Sequence, residues 1–173
     1  MIAVGKERLD AIDRVQQAWR RQRPDVDVSS IGVLSRVSRI AVHLDRARHR
    51  ALADLGTDAM TLDVLATLRR SGHPFRLTAG QLQRAALITS GAVTQRVDRL
   101  EAAGLVRRDS EGPDKRVVFI TLTEAGRNLA DTTLAGLMER EELLLAPLTE
   151  AQRQHLEILL HHWLLWFEQN QSS

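Results

Sequence analysis

The chain has no cysteine among its 173 residues. Disulfides, cysteine-based zinc sites and thiol redox sensing are therefore excluded. Aromatic side chains are scarce, at 3%, and β-branched runs gather mainly in one place, so a mostly helical fold is expected. No apolar run reaches the roughly 18 residues of a membrane-spanning helix. The N-terminus lacks a signal-peptide pattern, so a cytoplasmic protein with no membrane partner is expected. Charge of one sign is also missing in bulk: 24 Lys and Arg against 22 Asp and Glu leave a net +2. Net charge alone thus says little about nucleic acid; only its distribution can. There is no Gly-rich phosphate loop, nucleophile elbow or metal-ligand triad. That argues against an enzyme and calls for no cofactor.

What is present is a hydrophobic fraction of 43%, enough for a real core in one domain or two small intertwined ones. A first helix is expected over about residues 6–22, with Leu9, Ile12, Val15 and Trp19 on one stripe and Pro24 as its stop. Ser29 or Ser30 can cap a second helix reaching about Leu55, striped by Val33, Val37, Ile40, Leu44 and Leu52 and closed by Gly56. A third helix is expected from about Thr61 to Ser71, with Leu62, Leu65 and Leu68 inward. Thr78 and Gln81 form a capping box that starts a fourth. Thr123 caps a long helix that Pro147 ends, and Thr149 with Gln152 caps the last one. That last helix carries Leu156, Ile158, Leu159, Leu160, Trp163, Leu164, Leu165, Trp166 and Phe167 around most of its circumference. It needs cover on several sides, either as a buried core helix or as a dimer interface.

Residues 89–122 are the most telling segment. A helix opens at Thr89 or Ser90 and closes at Gly104, and a hairpin with a basic tip follows. On this helix Val93, Val97 and Leu100 form the buried stripe at about 100° per residue. Gly91, Gln95, Asp98 and Arg99 point the other way, with Ser90 and Thr94 near the N-terminal end. Gln can pair with adenine, and Arg with guanine or phosphate. In the hairpin, residues 105–108 pair with residues 117–121, and Lys115 and Arg116 stand at the tip. Asp114 is placed to orient Arg116 for a narrow minor groove. Helix, stop and basic hairpin together make a winged helix-turn-helix, the helix in the major groove and the wing on the neighbouring backbone or minor groove. The plainer alternative for the tip is a solvated turn with a local ion pair. The residues expected to touch DNA are Ser90, Gly91, Thr94, Gln95, Arg99, Lys115 and Arg116.

The run Val97-Asp-Arg-Leu-Glu-Ala-Ala-Gly-Leu-Val-Arg-Arg108, then Asp114-Lys-Arg116, then Leu122-Thr-Glu-Ala-Gly126 resembles the MarR family of winged-helix regulators. The resemblance implies a homodimer, interlocked through both chain ends, on pseudo-palindromic double-stranded DNA. The added first helix with Trp19, the Thr61–Gly72 segment and Thr89–Arg96 are similar to a PecS-like, urate-responsive subgroup. In that subgroup a Trp, an Asp and an Arg form the urate site, which would place Trp19, Asp63 and Arg96 around a small anionic effector. Arg96 lies on the flank of its helix, about 60° from the centre of the buried stripe, where it can turn inward to a carboxylate. Each residue also has a plainer reading: Trp19 as a core aromatic, Asp63 as a first-turn acid favoured by the helix dipole, Arg96 as a phosphate contact.

Three parts follow: residues 1–56 for dimerisation and a wall of the effector site, 57–122 for DNA, and 123–173 for dimerisation. The expected function is a ligand-responsive regulator, a repressor released from DNA by a urate-like metabolite. The alternative is an architectural DNA-binding dimer with no effector. His155 and His162 stand two turns apart beside His161; a zinc site there is the weaker reading and a helical interface the stronger, so no metal ligand is assigned. His43 and His49 could make binding pH-sensitive if they met across a dimer interface.

Overall fold

A computed structural model describes residues 9–86, 90–111 and 117–170, apart from the side chains of residues 86, 90–93 and 111. Its elements run α1 (Ala11–Gln22), α2 (Ser29–Asp54), α3 (Ala59–Arg70), β1 (Arg76–Thr78), α4 (Ala79–Ala86), α5 (Ser90–Ala102), β2 (Val106–Glu111), β3 (Val117–Leu122), α6 (Glu124–Leu145) and α7 (Glu150–Asn170). This is the expected mainly helical fold with a small β wing. The chain forms two compact units, residues 1–50 and 51–173. The expected boundary between residues 122 and 123 falls inside the second unit.

In the first unit, α1 starts later than the expected residue 6. Residues 9 and 10 precede it, because Asp10 caps it: its carboxylate accepts from the amides of Ile12 and Asp13, and the Asp13 carboxylate accepts in turn from the Asp10 amide. Little of the apolar stripe of α1 is buried; Ile12 is, while Leu9, Val15 and Trp19 are exposed. Polar contacts do the docking instead. Buried Gln16 donates to the Val28 carbonyl at 3.0 Å, and Arg36 of α2 holds Asp10 at 2.8 Å and Asp13 at 2.7 Å.

In the second unit, Val64, Leu65, Leu68, Leu82, Val97, Leu100, Val106 and Ile120 form the core under the wing and α5. A smaller cluster joins Leu52, Leu62 and Leu137. The sheet has the order β1-β3-β2 and is antiparallel throughout, with Leu77 opposite Ile120 and Arg108 opposite Ile120 on the other side. The strand β1 was not expected from the sequence. Gly104, with φ of 71°, makes the left-handed stop after α5. Gly126 lets α6 begin against the wing: a Cβ there would stand 2.0 Å from the Leu105 carbonyl oxygen. Both expected capping boxes form, Thr78 with Gln81 and Thr149 with Gln152. The helix α7 buries none of its described residues, although Leu160, Leu164 and Trp166 are large, apolar and exposed.

Candidate DNA-reading and effector site

The reading helix α5 sits on the core through Val97 and Leu100, both buried. Its register then fixes what faces outward. Thr94, Gln95, Asp98 and Arg99 are exposed, a strip of short polar groups, one amide and one guanidinium able to meet base edges or phosphate. Ser90 and Gly91 are the first two residues of α5, where backbone amides favour a phosphate; the Ser90 side chain lies outside the described residues. Lys115 and Arg116 also lie outside them. The strands leading to the tip are longer than expected, since β2 runs to Glu111.

Arg96 does turn inward from the flank of α5, and its side chain is only 17% exposed. The carboxylate it meets is Asp58, not the expected Asp63. Nη1 donates to Asp58 Oδ2 at 2.9 Å and to Thr61 Oγ1 at 3.1 Å, and Nη2 lies 3.4 Å from Met60 Sδ. Asp58 is the N-cap of α3: it accepts from the Thr61 amide at 3.0 Å and the Thr61 hydroxyl at 2.8 Å. Asp58, Thr61 and Arg96 thus close a triangle in which the Thr61 hydroxyl both donates and accepts. Partial burial works to raise the Asp58 carboxyl, but the Thr61 amide and hydroxyl and then Arg96 outweigh it and hold the group below the usual carboxylate range.

Asp63 stands on the exposed side of α3, between buried Leu62 and Val64. Among the described residues it forms no ion pair. The inward face of α3 at that level is occupied by apolar side chains, so Arg96 finds its partner at the helix start instead. Trp19 belongs to the first unit and is 50% exposed on α1.

The sequence reading missed Asp58, whose signal was an Asp three residues before a Thr at the head of an apolar run. It gave Arg108 no partner. In the structure Arg108 is paired with Asp98 and Glu101 of α5. Arg107 on the opposite face pairs with Asp109 at 2.9 Å. Among the described residues no helix is long and apolar enough to cross a membrane.

Comparison with known proteins agrees with this geometry. The sequence profile of the MarR family matches residues 55–117, the segment from just before the α3 cap to the first residue of β3. The HTH-type transcriptional regulator PecS of Dickeya dadantii is 38% identical over 152 residues, 88% of this chain and 91% of PecS. A mutant MarR from E. coli complexed with operator DNA superposes with a TM-score of 0.64 at 26% identity, covering 80% of this chain and 99% of that one. Bordetella bronchiseptica BpsR, described for the regulation of its DNA binding by 6-hydroxynicotinic acid, superposes with a TM-score of 0.56 at 25% identity, covering 72% of this chain and 98% of BpsR. The chain belongs to the MarR family of winged helix-turn-helix transcriptional regulators, proteins that bind DNA and are not enzymes, and within it to the PecS type.

Proposed function

We propose that this regulator is a repressor that binds pseudo-palindromic double-stranded DNA as a homodimer and is released by a small anionic, urate-like metabolite. The observation that carries the reading is the placement of Arg96. It lies on the reading helix, yet its guanidinium is turned away from the exposed strip and held by Asp58 and Thr61 at the start of α3. An anion that takes Arg96 must displace Asp58, and so loosens α5 from α3. Asp63, exposed on α3, and Arg96 remain the proposed effector contacts. Trp19 is proposed as a further one because of the resemblance to the urate-responsive subgroup. The regulation of BpsR by an anionic heterocycle, 6-hydroxynicotinic acid, favours the same class of ligand. Exposed large apolar side chains on α7 and along α2 support a homodimer, since patches of this kind mark interfaces. Two reading helices on one DNA face would set half-sites about 10 base pairs apart.

The test is fluorescence anisotropy on the DNA upstream of its own gene, at fixed salt, with and without urate. Wild-type protein is expected to bind and to be released by urate. Arg96→Ala, which itself lacks the link to Asp58, is expected to bind more weakly than wild type without urate and to lose the urate response; Trp19→Ala, made in parallel, asks whether the first unit takes part in it. If Arg96→Ala responds to urate as wild type does, the effector reading is wrong. Binding that ignores urate in wild-type protein removes urate as the effector.

A further inference from the structure

Arg108 lies on β2, between the reading helix and the wing tip whose Lys115 and Arg116 are expected to touch DNA, and the structure commits it to α5. Along β2 successive side chains alternate between faces. Val106 and Arg108 therefore share one face, and Arg107 takes the other. Val106 is buried against the core that Val97 and Leu100 of α5 also enter. Arg108, two residues further along the strand, reaches past the edge of that core to the C-terminal half of α5. There Asp98 and Glu101, one turn apart on the same helix face, receive its guanidinium, one carboxylate on each terminal nitrogen. The Arg108 amide adds a third link, donating to Glu101 Oε1 at 2.9 Å. The Asp98 bond comes first among the causes that raise the guanidinium pKa above its ordinary value.

Three consequences follow from this arrangement. The fork of Arg108 is filled by two carboxylates, so a phosphate would have to displace both. The two acids lie on the reading helix, Asp98 within the exposed strip and Glu101 one turn further on, and Arg108 offsets one of their two negative charges where they would otherwise repel DNA. The links also join the wing strand to the reading helix through side chains of both, so the two DNA-contacting parts keep one mutual angle. Arg99, exposed on α5 and with no ion pair among the described residues, has its guanidinium available for DNA by contrast.

We infer that Arg108 is a positioning residue for DNA reading: it clamps the wing to the reading helix through Asp98 and Glu101, and it does not contact phosphate. The inference rests on the DNA binding of the family and not on the effector proposed above. The test compares a duplex that the wild-type protein binds specifically with a random-sequence duplex of equal length, without effector. The variant Arg108→Gln with Glu101→Gln removes the clamp and leaves net charge unchanged. A misaimed wing is expected to lose about tenfold on the specific duplex, the equivalent of roughly one mismatched base pair, with little change on the random one. The slope of log affinity against log salt is expected to stay as in wild type. Loss of a phosphate contact would instead shrink that slope by about 0.9 and weaken both duplexes alike. Arg108→Lys keeps the charge but not the two-pronged fork. It is expected to fall with the double variant on the specific duplex. Wild-type affinity in Arg108→Lys, a reduced salt slope, or unchanged specificity in the double variant would each overturn the clamp.

Discussion

Helices α3 and α7 of the second unit are built from similar apolar stock and meet opposite fates. Twelve-residue α3 buries Thr61, Leu62, Val64, Leu65, Thr67 and Leu68, against α4, α5, α6 and the wing. Twenty-one-residue α7 buries none of its residues. Burial of apolar area is the main favourable term in folding, so α3 contributes to the stability of a single chain and α7 does not. The difference separates two kinds of apolar pattern. One is completed by the chain itself and makes the platform under the reading helix. The other is left open, an apolar face that the single chain does not cover. Under the proposed homodimer a second copy covers it.

The comparison breaks most readily in the core. Leu68 is fully buried, and Leu68→Ala is expected to cost about 2–5 kcal/mol, the range for a leucine truncated in a packed interior. Because the loss is internal, urea unfolding of the variant should show the same deficit at low and high protein concentration. A deficit that changes with concentration would mean the α3 core depends on the partner surface as well. The converse substitution is Leu160→Asp with Leu164→Asp on one face of α7. Both residues are exposed in the single chain, so the folded content of the monomer should hardly change. Association should weaken by about 2 kcal/mol or more, the scale of interface hot spots. Sedimentation equilibrium would read this as a shift from dimer to monomer. An unchanged mass would show that α7 is not the interface.

Much of this organisation was legible because it is written locally. The Thr78–Gln81 and Thr149–Gln152 boxes, the Thr123 cap and Gly104 each fix an element boundary within four residues of sequence, and the structure has all of them. The buried stripe of α5 was legible for the same reason: Val97 and Leu100 repeat at helical spacing. Two caps escaped notice although they too are local. Asp10 with Asp13, and Asp58 before Thr61, place the starts of α1 and α3 differently from the apolar stripes alone. Strand β1 was not legible, since three residues carry no period and exist as a strand only through distant Phe119, Ile120 and Thr121. The site shows the same limit. That Arg96 turns inward follows from its angle on the helix. Which of two aspartates it meets depends on how α5 packs across α3, and Asp58 stands 38 residues away in sequence.

Helix α1 in the first unit offers a third case, attached neither by a filled core nor by an open apolar face. Its hold on α2 and the residue before it runs through Gln16, which donates to the Val28 and Ser29 carbonyls, and through the Asp10, Asp13 and Arg36 cluster. The hydrogen bond from Arg36, followed by that from the Asp13 amide, lowers the Asp10 carboxyl from 3.8 to about 2. A carboxyl depressed in the folded state stabilises it fully above the unfolded value, and that contribution is lost as pH falls through the folded value. The attachment of α1 is therefore expected to loosen between about pH 4 and pH 2, while the α3 core persists. The effect is the smallest of the three, because the carboxylate is exposed and screened by solvent. Trp19 reports it when Trp163 and Trp166 are replaced by Phe. Its fluorescence should change across that acid window in the otherwise wild-type chain. Asp10→Asn should already show the low-pH signal at neutral pH and remain flat below it. A Trp19 signal that titrates identically in both proteins would show that the cluster does not hold α1.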